Sequence, residues 1–203
     1  VALGDPYATL PELKSYLGDI GDTIDDEKLT SALESVSEEI EDHTNRQFND
    51  AGASSARLYR PRNGGKVKVD DFHTADGLVV EVDADGDGVY ETVWAATDYQ
   101  LEPLNGVVDG RDGWPFEQIR AVGSRTFPLT RRASVRVTAR WGWETVPDPV
   151  RQACLILAAE TFKLKDAPFG VAGFGDYGPV RVRNNPIAAK KLGPYIRYRV
   201  AVV

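Results

Sequence analysis

At 203 residues, 42% apolar and 27% charged, the chain is long enough for one domain with its own core, or for a core domain carrying an insertion, and its balance is that of a soluble globular protein. No apolar run approaches the ~20 residues that a membrane-spanning helix needs, and the opening residues Val1, Ala2, Leu3, Gly4 and Asp5 lack the basic and apolar regions of a secretory signal, so use without export by that route is expected, with no membrane partner. The net charge of -7 conceals a gradient: residues 1–50 hold 3 Lys/Arg against 13 Asp/Glu, residues 51–110 hold 5 against 11, and residues 111–203 hold 16 against 7, which suits either an acidic or nucleic-acid partner for the basic end or head-to-tail association between copies.

The first predicted element is a short helix. Thr9 can cap it with Glu12 as the capping-box partner, Pro11 fits its first turn, and Leu10, Leu13, Tyr16 and Leu17 form its apolar side before Gly18 closes it. Next, the carboxylates of Asp25, Asp26 and Glu27 belong at a helix N-terminus. Leu29, Leu33, Val36, Ile40 and then Thr44 or Phe48 recur at helical spacing, which predicts a long amphipathic helix with Glu34, Glu38, Glu39, Glu41 and Asp42 on a solvated outer face. His43 has no second His, Cys or carboxylate at ligand spacing, so no metal is expected there.

From residue 57 the pattern shifts to short alternating runs separated by Gly, Asn and Asp. Runs at 57–60, 66–70, 78–82, 89–94, 99–101, 119–122 and 134–141 predict six or seven strands and hence a small sandwich or barrel. Within residues 105–118, Trp114, Pro115 and Phe116 read as a local aromatic anchor. The last strand is the clearest: Val135, Val137, Ala139 and Trp141 fall on one face, and Arg136, Thr138 and Arg140 on the other.

Gly142 ends that strand, and Asp148 as a cap with Pro149 at the first helical position starts a helix. Residues 153–159 of this helix have no polar face, so they must be covered on nearly all sides by this subunit or by a neighbour. Val150, Cys154 and Leu157 are the expected packing partners of Leu29, Leu33, Val36 and Ile40. Cys154 is the one cysteine and reads as a small buried hydrophobe. Lys163 and Lys165 suit the helix end, and Pro168 bars continuation.

Past Pro168 the chain turns Gly-rich and then basic, with alternation in Val180-Arg181-Val182-Arg183 and a possible helical turn over 186–192. With so little apolar surface it reads as an arm that orders against another subunit or a partner. The whole is α+β: a helical core from residues 1–50 and 142–167, in which the N-terminal helices pack with the C-terminal apolar helix, an inserted small β-sandwich or barrel over 51–141, and an extended C-terminal arm over 168–203.

Two motifs invite a ligand. Asp83, Asp85 and Asp87 in Asp83-Ala84-Asp85-Gly86-Asp87-Gly88 begin like a calcium loop, with carboxylates at alternate positions. The twelfth position, however, is Trp94 where a bidentate Glu belongs, and both flanks read as strands, so a tight acidic hairpin competes with a calcium-binding β-rich interaction module. Gly173-Phe174-Gly175-Asp176-Tyr177-Gly178 has dinucleotide-binding spacing, but a helix precedes it and Pro179 follows, the reverse of what a pyrophosphate site needs. There is no GxxxxGK[ST] loop, and two histidines with one buried cysteine leave little material for hydrolysis. Neither an enzyme nor a cofactor is expected.

Trp141-Gly142-Trp143 followed by Val146-Pro147-Asp148-Pro149-Val150-Arg151-Gln152-Ala153 resembles the strand-to-helix segment of tailed-bacteriophage head-tail connector (adaptor, or head completion) proteins. The opening Tyr7-Ala8-Thr9-Leu10-Pro11-Glu12-Leu13-Lys14-Ser15-Tyr16-Leu17 and the late Leu192-Gly193-Pro194-Tyr195-Ile196-Arg197 are similar to the same family, while residues 51–132 have no counterpart in the resemblance. It implies a structural virion protein of the neck, assembled in the host cytoplasm. The protein would be a homo-oligomeric, dodecameric ring joining the phage portal protein to a tail or neck protein below, with DNA passing through the channel without sequence-specific binding. In that family helices form the ring and a C-terminal segment contacts the portal, which implies portal or subunit contacts at Arg181, Arg183, Lys190, Lys191, Leu192, Tyr195 and Arg197.

Overall fold

The structure, a computed structural model, describes residues 4–18, 21–163 and 185–198. Among them are four α-helices and seven strands in two antiparallel sheets, an α+β arrangement. The chain divides into two units, Val1–Phe48 with Val146–Val203, and Asn49–Thr145. No helix of the described residues is long and apolar enough to cross a membrane.

In the helical unit, α1 (Leu10–Tyr16) begins at the expected capping box: the Thr9 hydroxyl accepts from the Glu12 amide while the Glu12 carboxylate accepts from the Thr9 amide at 2.8 Å. Its apolar side is narrower than the spacing suggests, because Leu13 alone of its residues is buried and Tyr16 is 54% exposed. Helix α2 (Asp26–Thr44) buries Leu29, Leu33, Val36, Ile40 and Thr44 along one stripe, and Asn45 ends it in a left-handed conformation with φ 53°. The third helix, α3 (Asp148–Lys163), starts one residue earlier than its proline suggests. The Pro147 carbonyl accepts from the amides of Val150 and Arg151, so Asp148 is the first helical residue, and its carboxylate binds Arg151 instead of capping the backbone. Helix α3 buries Val150, Ala153, Cys154, Leu157, Ala158 and Ala159 and packs against α1, α2 and α4 (Pro186–Leu192). Asn185 caps α4 by accepting from the amides of Ile187 and Ala188, and a 3-10 turn, Gly193–Tyr195, follows it.

In the other unit, strands β1 (Ser55–Tyr59), β7 (Val135–Ala139), β3 (Val79–Val82) and β4 (Thr92–Trp94) form one sheet in that order, and β2 (Lys66–Phe72), β6 (Phe116–Ala121) and β5 (Tyr99–Glu102) form the other. The expected strand over 89–94 is shorter, and at its start the Val89 amide donates to the Asp87 carboxylate and not to a neighbouring strand. Alternate residues from both sheets enter one buried cluster: Val67, Val69 and Ile119 from one, Val80, Val82, Val135 and Val137 from the other. Trp94 stacks on Phe127 at 4.5 Å. The sheets share side chains without a continuous ladder, so the barrel alternative is not formed: no barrel closes among the described residues.

The chain enters and leaves this unit side by side. The Ala51 amide donates to the Trp141 carbonyl at 2.9 Å, and Arg140 pairs with both oxygens of Asp50. Between them Gly142 has φ +98°, and a Cβ there would lie 1.8 Å from the Asn49 carbonyl oxygen. Glycine is therefore a steric requirement at that turn.

Candidate functional site

The helical unit is built around α3, with α2 and α4 packed on it. Helices α2 and α3 meet at Ser37, whose hydroxyl accepts from the Tyr7 amide at 3.0 Å, donates to the Leu33 carbonyl at 2.7 Å, and lies 3.6 Å from the Cys154 sulfur. Burial pushes the Cys154 thiol up to about 11, so it stays protonated and unreactive at neutral pH. The expected packing residues Leu29, Leu33, Val36, Ile40, Val150, Cys154 and Leu157 are all buried.

A second polar contact lies near the end of α2. The Tyr7 hydroxyl donates to the Glu41 carboxylate at 2.6 Å and accepts from the Phe48 amide at 3.1 Å. Burial raises the Tyr7 phenol far above its usual value, with the Glu41 bond adding to it. Burial likewise raises the Glu41 carboxyl, against the Tyr7 bond that favours its charged form. Glu41 was expected on the solvated face; its hydrogen bond to Tyr7 half-buries it instead. Nothing in the spacing of two residues so far apart in sequence signals this pair.

Phe48 sits edge-on to both Tyr7 at 5.5 Å and Tyr195 at 5.8 Å. Tyr195 and its neighbours are held to the end of α2: the Arg197 amide donates to the Thr44 carbonyl at 2.7 Å, Asn45 donates to the Arg197 carbonyl at 3.2 Å, and Arg46 to the Tyr195 carbonyl at 2.9 Å. This corrects the extended arm for residues 185–198. Ala188, Leu192 and Tyr195 are buried in the helical unit, which makes Leu192 and Tyr195 core residues rather than free contacts for a portal. Lys190 is exposed, Lys191 is half-buried with its amine on the Gln152 side chain at 2.6 Å, and Arg197 is half-buried. Arg181 and Arg183 lie outside the described residues, as do the glycine motif at 173–178 and the helix end expected at Lys165.

What remains outside is polarised. Glu27, Glu34, Glu38 and Asp42 are exposed on α2, beside the small residues Ser31 and Ser35. A groove opens there between α2 and the end of α3, lined by Glu27, Lys28, Ser31, Ala32 and Ser35 on one side and by Thr161 and Phe162 on the other. On α4, Ile187 is 59% exposed next to Lys190. These surfaces offer contact and charge.

In the sheet unit, one carboxylate oxygen each from Asp83, Asp85 and Asp87 lies within 4.8 Å of the others. Asp83 is fully buried, and its two oxygens accept from the amides of Gly86 at 2.7 Å and Gly88 at 2.9 Å. Asp85 accepts from the Asp87 amide and Asp87 from the Val89 amide. The carboxylates thus hold the turn together through backbone amides, the work of a tight acidic hairpin.

No protein-family model and no curated protein matches the chain. Solved structures do. The chain is similar to a chain in the neck of an empty GTA particle computed with C6 symmetry, at TM-score 0.58 and 21% identity over 99% of this chain and 95% of that one. It is also similar to one in the neck of a native GTA particle computed with C12 symmetry, at TM-score 0.56 and 20% identity over 99% and 94%. A third is in the virion of a native gene transfer agent (GTA) particle, at 0.54 and 21% over 99% and 95%. The likeness is one of fold, and it spans both units of the chain.

Proposed function

We propose that this chain is a structural subunit of the neck of a phage-like particle, a head-tail connector that forms a ring between the portal and the tail or next neck protein. The observation that carries this reading is a shared fold over 99% of the chain with a chain from a particle neck, computed with C12 symmetry in one case. Twelve copies are the corresponding ring, assembled in the host cytoplasm and retained in the virion neck, with DNA passing through the channel. The role is architectural and not enzymatic, which accords with a surface of charge and apolar contact and with a thiol that stays protonated. The sheets then act as a small sandwich carried between ring-forming helices. Portal contacts fall to the exposed Lys190, to Arg197 and to Arg181 and Arg183, since Leu192 and Tyr195 are used internally. Native mass measurement of the purified chain, alone and mixed with the portal protein of the same particle, tests the proposal. A species of twelve 22.3 kDa subunits, free or on the portal, is expected. A chain that stays monomeric in both conditions would overturn it.

A further inference from the structure

In a chain of net charge -7, two stretches hold no acid at all: residues 57–68 carry five Lys/Arg and no Asp/Glu, and so do residues 118–136. Folding brings them to the same end of the sheet unit. Strand β1 finishes at Tyr59 and β2 begins at Lys66, while β6 finishes at Ala121 and β7 begins at Val135. The loops between them are stitched together: the Phe127 amide donates to the Gly64 carbonyl at 2.8 Å, the Ala121 amide to the Gly65 carbonyl at 2.9 Å, and the Ser134 amide to the Tyr59 carbonyl at 3.2 Å. Arg60, Arg62, Arg125 and Arg131 are exposed on these two loops, and Lys66 stands directly opposite Arg120 in the ladder between β2 and β6.

Carboxylates answer only part of this charge. Glu102 pairs with Arg120, and Asp98 with Arg125 at 3.1 Å, which leaves the Arg125 side chain 44% exposed. Among the described residues Arg60, Lys66 and Arg131 make no ion pair. The acidic turn over 83–88 borders the same end, where the Asp83 amide donates to the Ser134 carbonyl, and Arg132, whose Nη1 would lie 3.5 Å from a Cβ on Gly88, serves that turn. Like charges directly opposite on paired strands cost stability, so an anion lying across Lys66 and Arg120 relieves a repulsion that the fold builds in. Exposed Asn63, Ser124 and Thr126 add hydrogen-bonding groups among the cations, and a Cβ on Gly123 would meet nothing within 4 Å, so the loop leaves room for a large, rigid partner.

From this we infer that the end of the sheet unit formed by these two loops binds the phosphate backbone of double-stranded DNA, through Arg60, Arg62, Lys66, Arg125 and Arg131 and without reading its sequence. Four of the five are arginines, whose planar guanidinium groups grip phosphate oxygens in pairs. Contacts of this kind hold a duplex in place and carry no sequence information. At 0.1 M salt the field of an exposed charge fades over ~10 Å, so a duplex at this end meets these cations and not the net charge of the chain. The inference takes the source of the DNA from the neck reading above, while the binding stands or falls separately.

Fluorescence anisotropy of the full chain with two short duplexes of unrelated sequence tests it. Equal affinities are expected, falling roughly 100-fold between about 50 and about 200 mM salt if about four phosphates are neutralised. R60A/R62A should weaken binding about tenfold at the lower salt and flatten the salt slope by about two, and R131A, on the other loop, should flatten it by about one. All three arginines are exposed, and unchanged melting curves will verify that the variants fold. K28A, which removes an exposed cation from the helical unit, should leave both affinity and slope as they were. Binding that ignores salt, that survives both arginine variants unchanged, or that is absent at about 50 mM salt overturns the inference. Polyglutamate that competes as well as DNA of equal charge would assign the surface to an acidic protein and overturn it too. Rings that form and bind no DNA refute this inference alone, whereas a chain that binds DNA through these residues and never assembles, with or without portal, refutes the ring reading alone.

Discussion

At Gly142 the demand on a single residue is geometric. A methyl group there would stand 1.8 Å from the Asn49 carbonyl oxygen in a backbone with φ +98°, so Gly142→Ala should destabilise the sheet unit by roughly 3 kcal/mol or more, measured by urea unfolding. At Glu41 the demand is electrostatic. Burial raises its folded-state carboxyl above the ordinary 4.5, so the folded chain holds that proton more tightly than the unfolded chain does. The stability this supplies is present below the ordinary value and lost as pH rises through the raised one. Glu12, Asp50, Glu81, Asp98 and Glu102 run the other way. The Thr9 amide lowers Glu12 first, with Arg151 adding to it, and hydrogen bonds from Arg140, Arg136, Arg125 and Arg120 lower the rest in turn. Their stabilisation is present above the ordinary values and lost as pH falls. With five groups against one, the melting temperature should drop on acidification below about pH 4. Glu41→Gln should instead raise it at neutral pH, since the amide oxygen can still accept from Tyr7 without a buried charge; a lower melting temperature would show that the ionised form is needed.

Among the elements, the turn over residues 83–88 makes the sharpest claim. Because Asp83 spends its two oxygens on the amides of Gly86 and Gly88, Asp83→Ala should cost roughly 1 kcal/mol by removing two bonds that hold the turn. Added calcium at about 1 mM should leave the wild-type melting curve where it was. A calcium-dependent rise would restore the ion-binding reading of this loop. The elements differ in how far the sequence discloses them, and the difference follows range. Local signals were legible: the capping box at Thr9, the stripe from Leu29 to Ile40, and the period of two in the strand ending near Trp141. The strand order β1-β7-β3-β4 joins segments distant in sequence, and no local pattern encodes it. The segment at 185–198 misleads for the same reason. Counted alone it has too few apolar side chains for a core, yet Ala188, Leu192 and Tyr195 suffice once α3 and Phe48 supply the other half. Of the candidate contact surface, the acidic face of α2 was visible as a charge pattern. The groove was not, because its wall comes from Thr161 and Phe162 on another helix.

For the whole molecule, the acidic residues 1–50 and the basic residues 111–203 make a ring held by exposed charge salt-sensitive, since exposed charges are screened within ~3 Å at 1 M salt. Light scattering should find rings dissociating as salt rises, and rings that persist would move the credit to apolar packing between subunits. Residues 49–145 hold a core cluster of their own, so that stretch expressed alone should fold cooperatively, giving a dispersed amide spectrum. A collapsed spectrum would mean that its order depends on the helices.

The joint at Asp50 and Arg140, where the Ala51 amide also meets the Trp141 carbonyl, bears on how such proteins diversify. A backbone hydrogen bond holds the incoming and outgoing chain together there, so any module whose own ends match that gap can be spliced in. Recombination could exchange the entire cassette between lineages in one event, and an engineer could graft a fluorescent reporter or a cell-binding domain at the same seam.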